Sequence, residues 1–251
     1  MQVVIVGSGN VATVFGKRIK AAGYNIVQVL SRTLDHAKEL GEILDCPYTN
    51  DNAAVNRDAD VYLLAVSDSV LYGLEQLSPI GTKLVIHTAG SVPMDVLERV
   101  TINYGVMYPL QSLRKEMDAI EDIPLLISGN NEANTAVIRS IAKKISGQVS
   151  VAGDDERLKL HVAAVVVSNF TNHLYALAED FCEKEKVDFK MLLPLIKETA
   201  YRVTEHSPKD LQTGPAFRND IFTLDKHLRS LSAYPRLKYV YLKLTDSILN
   251  R

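Results

Sequence analysis

Cysteine is scarce in this chain, and so is any excess of charge. Its 251 residues hold two cysteines, Cys46 and Cys182, which lie too far apart for metal-ligand spacing. No metal site is therefore expected, and the two thiols fit a reducing, cytoplasmic compartment. The formal net charge is -2, and no run of Lys and Arg occurs. Nucleic acid and anionic membrane surfaces are thus disfavoured as partners. No apolar segment approaches the length that crosses a bilayer. The opening residues lack the basic flank and apolar stretch of a signal peptide, which again predicts a cytoplasmic protein. Internal repeats and low-complexity tracts are missing too. What remains is a chain with 47% hydrophobic residues, long enough for one large or two medium domains with their own cores.

The most informative residues come first. Val3-Val4-Ile5-Val6 reads as a buried strand, and it runs directly into Gly7-Ser8-Gly9-Asn10-Val11-Ala12. This is the G-x-G-x-x-A form of the dinucleotide fingerprint. Gly7 permits the tight turn, and Gly9 carries no side chain to hold a pyrophosphate off the backbone. Ala12 lets the next helix pack closely on the strand, and that helix's N-terminus presents free N–H groups to phosphate. The context agrees: Val14, Phe15 and Ile19 continue a helical period, Gly23 closes it, and Ile26 to Leu30 supply a second strand.

The nucleotide is chosen about 20 residues past the glycines, where an Asp or Glu would select NAD. Here that position is Ser31, followed by Arg32 and Thr33. No carboxylate repels a 2′-phosphate, and the Arg32 guanidinium can pair with one or stack on adenine. NADP is accordingly the expected cofactor. The competing reading makes Thr33 a plain N-cap for the helix that follows and Arg32 a solvated charge.

Up to about Val151, short apolar runs alternate with helical patterns, as in a parallel α/β sheet. Further strands are predicted at Val61–Val66, Leu84–His87, Gly105–Met107 and Pro124–Ser128. Helices are predicted near Ala53–Arg57, Val70–Leu77, Pro93–Val100 and Ala133–Ser146. From Asp154 to Lys186 there is neither Pro nor Gly, and one long helix is expected. Helical stretches follow around Phe189–His206, Asn219–Ser232 and Pro235–Leu249. The predicted fold is an α/β Rossmann domain with a mostly parallel, doubly wound sheet (1–152), followed by an all-α C-terminal domain (153–251).

Ligands of doubly wound sheets sit beyond the carboxyl ends of the strands. Those ends carry Val66, Ser67 and Asp68, then His87 to Ser91 with Ala89-Gly90 open to close backbone approach, then Tyr108. Reduction of a carbonyl or imine beside a nicotinamide needs an acid, and His87, Tyr108 and His161 are the candidates. His87 could instead be a satisfied core histidine, and Tyr108 a mere rim. On the long helix His161, Ser168 and Asn172 fall near one stripe at helical spacing, with Asn169 beside it. The stripe implies a wet cleft or an exposed face. Farther on, the Thr213-Gly214-Pro215 turn leads into Arg218 and Asp220. Arg218 could clamp a carboxylate or phosphate, or Arg218 and Asp220 could be only a surface pair and a helix cap.

The order of domains, with Ser31-Arg32-Thr33 and the Ala59-Asp60-Val61-Tyr62-Leu63-Leu64-Ala65-Val66-Ser67-Asp68 strand, resembles the 6-phosphogluconate dehydrogenase-like and pyrroline-5-carboxylate reductase-like group. Leu160-His161-Val162-Ala163-Ala164, Ser168-Asn169 and Thr213 to Asp220 resemble more closely a family of NADP oxidoreductases whose helical half is a domain of unknown function. The resemblance implies an NADP(H)-dependent reductase that transfers hydride to a C=O or C=N group of a small, anionic metabolite. The candidate catalytic residues for that reaction are His161, Asn169 and His87, and the candidates for substrate contact are Tyr108, Ser168, Thr213, Arg218 and Asp220. A homodimer through the helical domain is the implied assembly, with Val165, Val166, Leu174, Leu192 and Leu193 as apolar surface. Related dehydrogenases place a catalytic Lys one turn before an Asn on the long helix. Here the residue one turn after Lys159 is Ala163, and one turn after His161 it is Val165. That departure leaves open a non-catalytic NADP-binding sensor, while likeness of the N-terminal half to deazaflavin-linked enzymes leaves open that chemistry.

Overall fold

A computed structural model describes residues 1–74, 80–116 and 122–250. The chain divides into two compact units, Met1–Ser168 and Asn169–Arg251.

The first unit is built on an eight-stranded sheet. Its strands are β1 (Gln2–Val6), β2 (Asn25–Leu30), β3 (Tyr48–Thr49), β4 (Val61–Leu64), β5 (Gly81–His87), β6 (Thr101–Pro109), β7 (Leu125–Gly129) and β8 (Val149–Val151), in the order β3-β2-β1-β4-β5-β6-β7-β8. All neighbours are parallel except β6 and β7. The central strands are apolar on both faces because both faces are covered. Val3, Ile5, Leu63 and Ile86 pack on one side with Phe15, Leu40 and Ile138. Val4, Val6, Tyr62 and Val85 pack on the other with Leu71, Val92 and Leu97. From β1 the chain winds one way to β3 and then crosses to β4, so a topological switch point lies between β1 and β4.

The first face is roofed by regular helices, α1 (Asn10–Ala21), α2 (Leu34–Leu44) and α4 (Glu132–Ile145). On the second face the sequence overestimates helix. The elements bounded among the described residues are a 3-10 turn at Asn52–Ala54, the single-turn α3 (Asp68–Leu71) and another 3-10 turn at Met94–Leu97. Asp51 caps the start of the first by accepting the Ala53 N–H, and after α3 the Gly73 N–H turns back to the Val70 carbonyl at 3.0 Å. The remainder of the helix expected over Val70–Leu77 runs into 75–79, outside the described residues. The edge strands β3 and β8 are too short to register as patterns. β6 is longer than expected because β5 and β7 pair with it along most of its length.

The secondary structure changes character at 152–154, where β8 ends and α5 (Asp154–Ala164) begins. The compact unit nevertheless extends to Ser168, since the first turns of α5 belong to its core: Arg157 is buried and Leu160 packs with Val106, Tyr108 and Leu126. The helix expected over Asp154–Lys186 is divided by a π turn at Val165–Phe170. Three consecutive valines, each crowded at Cβ, stand at that wider turn.

The second unit holds α6 (Thr171–Lys184), a 3-10 turn at Phe189–Leu192, α7 (Leu193–Glu205), α8 (Ile221–Ser230), a 3-10 turn at Leu231–Ala233 and α9 (Pro235–Leu249). Pro194 and Pro235 stand in the first turns of α7 and α9, where a missing N–H costs nothing. Among its described residues only Cys182, Ala216, Leu224 and Leu231 are buried hydrophobics. Among all described residues, no helix is long and apolar enough to cross a membrane.

Candidate active site

At the end of β1 the backbone N–H of Gly7 donates to the Leu30 carbonyl at 2.8 Å. Its φ of 112° suits glycine, and a Cβ here would collide with the Ala65 carbonyl of the neighbouring β4 loop. Gly9, at the N-cap of α1, differs: a Cβ there would meet nothing within 4 Å. That space opens in front of a helix whose first turn carries no acidic residue. Ala12 is fully buried beneath it. The Ser8 and Ser31 hydroxyls lie 2.7 Å apart and tie the fingerprint turn to the end of β2.

Together these segments line a cleft of about 560 Å³ at the switch point. It takes in Gly7, Ser8, Gly9, Ser31, Arg32 and Thr33 from one side, and Val66 and Ser67 from the other. Thr33 is the N-cap residue of α2, yet its hydroxyl makes no capping bond, which leaves it available to a ligand. His36, Asn50 and Asn52 also line the cleft and were not foreseen. His36 stands three residues after Thr33 in the first turn of α2, a spacing that faces the same way and could have flagged it.

Other expected cofactor residues lie outside the lining of this cleft. Asn10 accepts the Lys115 N–H at 3.1 Å through Oδ1, and Val11 packs against the core. Asp68 accepts a short hydrogen bond from Ser91 Oγ, joining the loops after β4 and β5. Ala89 is buried, and its N–H donates to His87 Nδ1 at 3.1 Å.

The structure corrects the assignment of His87 as an acid. Its side chain has no exposure, and burial, with the Arg157 cation nearby, pushes its pKa down to about 4. It is a neutral core histidine whose Nδ1 supports the Ala89 amide. Tyr108 and His161, by contrast, meet: Tyr108 Oη lies 2.9 Å from His161 Nδ1, with the rings edge to face at 79°. Burial raises the Tyr108 pKa and Arg157 opposes the rise, so the phenol is neutral. Gly90 makes their meeting possible, because a Cβ there would lie 2.6 Å from His161 Nδ1 and 2.9 Å from Tyr108 Cε2.

The helical stripe does not survive. The π turn interrupts the 3.6-residue period on which alignment of His161 with Ser168 rests. Ser168 is half-buried at the end of the first unit, and Asn169 is exposed at the start of the second. Asp220 is also corrected, from substrate contact to helix cap: it accepts the Thr223 N–H at 3.0 Å and the Thr223 hydroxyl at 2.7 Å. Those bonds hold its carboxyl below the usual range. Thr213 and Arg218 flank this turn on exposed positions, with Gly214 at a φ of 105°.

A model of "NADP oxidoreductase coenzyme F420-dependent" proteins matches residues 2–89, and the "Domain of unknown function (DUF2520)" matches 123–248. A Bacteroides fragilis protein bearing the name "putative NADP oxidoreductase" is 39% identical, with 100% of this chain and 98% of that one covered and a TM-score of 0.93. The 1-pyrroline-5-carboxylate reductase of Streptococcus pyogenes is 16% identical, covering 100% and 99%, with a TM-score of 0.65. An imine reductase from Myxococcus stipitatus, solved with NADP+, is 14% identical over 100% and 92%, with a TM-score of 0.69. These last two share the fold. No curated protein matches.

Proposed function

Given that the chain belongs to the NADP oxidoreductase family that carries the DUF2520 helical domain, we propose that it is an NADPH-dependent reductase acting on the C=O or C=N group of a small, anionic metabolite. The observation that carries this reading is the cleft at the switch point, with open space in front of Gly9, Ser31 where a carboxylate would select NAD, and Arg32 beside it. The donor set fits the cofactor. The Ser8 and Gly9 backbone and the α1 N-terminus favour a pyrophosphate, while Arg32 and Thr33, with His36 beside them, favour a 2′-phosphate. Bound NADPH supplies the hydride. Val66 and Ser67, which follow β4, line the other side of the cleft.

Pyrroline-5-carboxylate and imine reductases share the fold, so small cyclic imines and 2-oxo acids form the substrate panel. Fluorescence titration should show NADPH binding at least tenfold more tightly than NADH, and the panel should contain a compound whose reduction oxidises NADPH. Tight NADPH binding with no turnover across the panel would favour the non-catalytic sensor, a reading that the missing Lys-and-Asn pair supports. The free thiols of Cys46 and Cys182 suit a cytoplasmic setting.

The same reading includes a homodimer through the helical unit. Among its described residues only Cys182, Ala216, Leu224 and Leu231 are buried, while Met191, Ile221, Phe222 and Tyr239 are exposed. Apolar surface of that extent on so thin a core supports a second copy as its cover.

A further inference from the structure

Helix α5 brings three polar side chains against the sheet unit at successive turns: Asp154, Arg157 and His161. Arg157 is 1% exposed, and a buried guanidinium persists only when it is paired. Its Nη1 lies 2.8 Å from Asp154 Oδ1, and its Nη2 donates to the Val92 carbonyl. The other oxygen of Asp154 accepts the Met94 N–H at 3.1 Å. The segment after Gly90 is therefore fastened to α5 at two points. One turn farther along α5, His161 reaches Tyr108 at the carboxyl end of β6.

A dinucleotide bound across the switch point spans both halves of such a sheet, and the His161–Tyr108 pair stands beside Gly90, at the carboxyl ends of β5 and β6. Tyr108 is nearly buried and His161 partly exposed. The inner member is thereby fixed, while the outer one is open to substrate and to solvent protons.

We propose that His161 is the catalytic acid of the reduction and that Tyr108, through its hydrogen bond to Nδ1, is the positioning residue that aims it. The inference rests on the reductase reading. As hydride reaches the substrate carbon, the C=O or C=N π pair moves onto the heteroatom. The Nε2–H bond of the His161 imidazolium breaks, its electron pair stays on the ring, and the proton forms the new O–H or N–H bond. His161 is left neutral with Nδ1–H donated to Tyr108 Oη, and water restores the lost proton. The balance is one substrate, one NADPH and one proton giving reduced product and NADP+.

The test uses the full-length wild type, His161→Gln and Tyr108→Phe, with NADPH titration, steady-state kinetics on the cyclic-imine and 2-oxo-acid panel, and ¹⁵N NMR of histidine-labelled protein. Expected results are a 10²- to 10⁴-fold fall in kcat for H161Q, a fall of about tenfold for Y108F carried by kcat rather than KM, and NADPH dissociation constants within about twofold of wild type for both. Y108F should also move the Nδ1 resonance of His161. Turnover by H161Q within about threefold of wild type would overturn the acid assignment and leave the reductase reading standing. An unmoved Nδ1 resonance in Y108F would overturn the positioning role. Wild-type protein that binds NADPH yet reduces nothing in the panel would overturn both the reductase reading and this inference. If H161Q binds NADPH poorly, His161→Asn repeats the kinetic arm, and turnover by that variant near wild type overturns the assignment in the same way.

Discussion

The two units of this chain solve the problem of burial differently. In Met1–Ser168 the apolar residues sit under helices or turns on both faces of the sheet, and even Arg157 and His87 are inside. In Asn169–Arg251 Asp220 caps α8 and prolines open α7 and α9, yet the large apolar residues Met191, Phe222 and Tyr239 stay outside. A sheet gathers distant strands and closes its own core. A few helices joined by short turns bury a stripe only where another helix face meets it. The first unit thus carries its core and its candidate chemistry internally, whereas the second leaves large apolar side chains exposed.

The largest expected effect sharpens the first half of that contrast. Gly7→Ala puts a methyl group onto the Ala65 carbonyl at a φ that disfavours side chains, and should cost roughly 3 kcal/mol or more. Gly9→Ala meets open space and should keep the melting temperature while weakening NADPH about tenfold or more. Thermal unfolding with and without NADPH separates the two.

His87 gives the next largest effect. Its folded-state pKa of about 4 lies below the ordinary 6.5, so the unfolded chain takes up this proton first as pH falls. Its contribution to stability is full above about pH 6.5 and is lost on the way down to about pH 4, on the order of 3 kcal/mol. Urea unfolding of wild type and His87→Asn across that range should show a shallower slope for the variant. Equal slopes would remove His87 as the cause.

Phe222→Asp probes the helical unit. At an exposed site on a monomer it should change stability by less than about 0.5 kcal/mol. If a second copy covers the site, light scattering should instead show the mass fall from dimer to monomer, with a melting temperature that depends on protein concentration. The smallest effect belongs to Asp220→Ala, which removes the α8 cap and should lower Tm by roughly 2–4 °C. It should leave the KM of any substrate unchanged; a raised KM would return Asp220 to the binding site.

Much of the first unit is legible in the sequence because its signals are local. The fingerprint, the strand starting at Val61, the start of α5 at Asp154 and α9 with its leading proline are all found where residue patterns put them. What escapes has a physical pattern. β3 and β8 are two- and three-residue edges held by neighbours rather than by propensity. The π turn depends on packing along the helix, so a 3.6-residue stripe drawn through it fails. Burial of Arg157 runs against its residue type, and only the Asp154 carboxylate and the Val92 carbonyl make it tolerable. Tyr108 and His161 were each singled out as polar groups near a strand end or on a helix. Their hydrogen bond spans 53 positions of sequence and depends on the missing side chain of Gly90, which no local pattern reports. In the cleft the chain order shows Ser31, Arg32 and Thr33, but Asn50 and Asn52 arrive by way of β3, itself invisible in the sequence.

Selective NADPH binding through Arg32 is the claim on which the account turns. Dissociation constants of NADPH and NADH, measured by fluorescence for wild type and Arg32→Ala, test it most directly. Wild type should favour NADPH by about tenfold or more, equivalent to about 1.4 kcal/mol, and Arg32→Ala should bring the ratio close to one by weakening NADPH alone. Equal affinity of the wild type for the two nucleotides, or an unchanged ratio in the variant, would contradict the account.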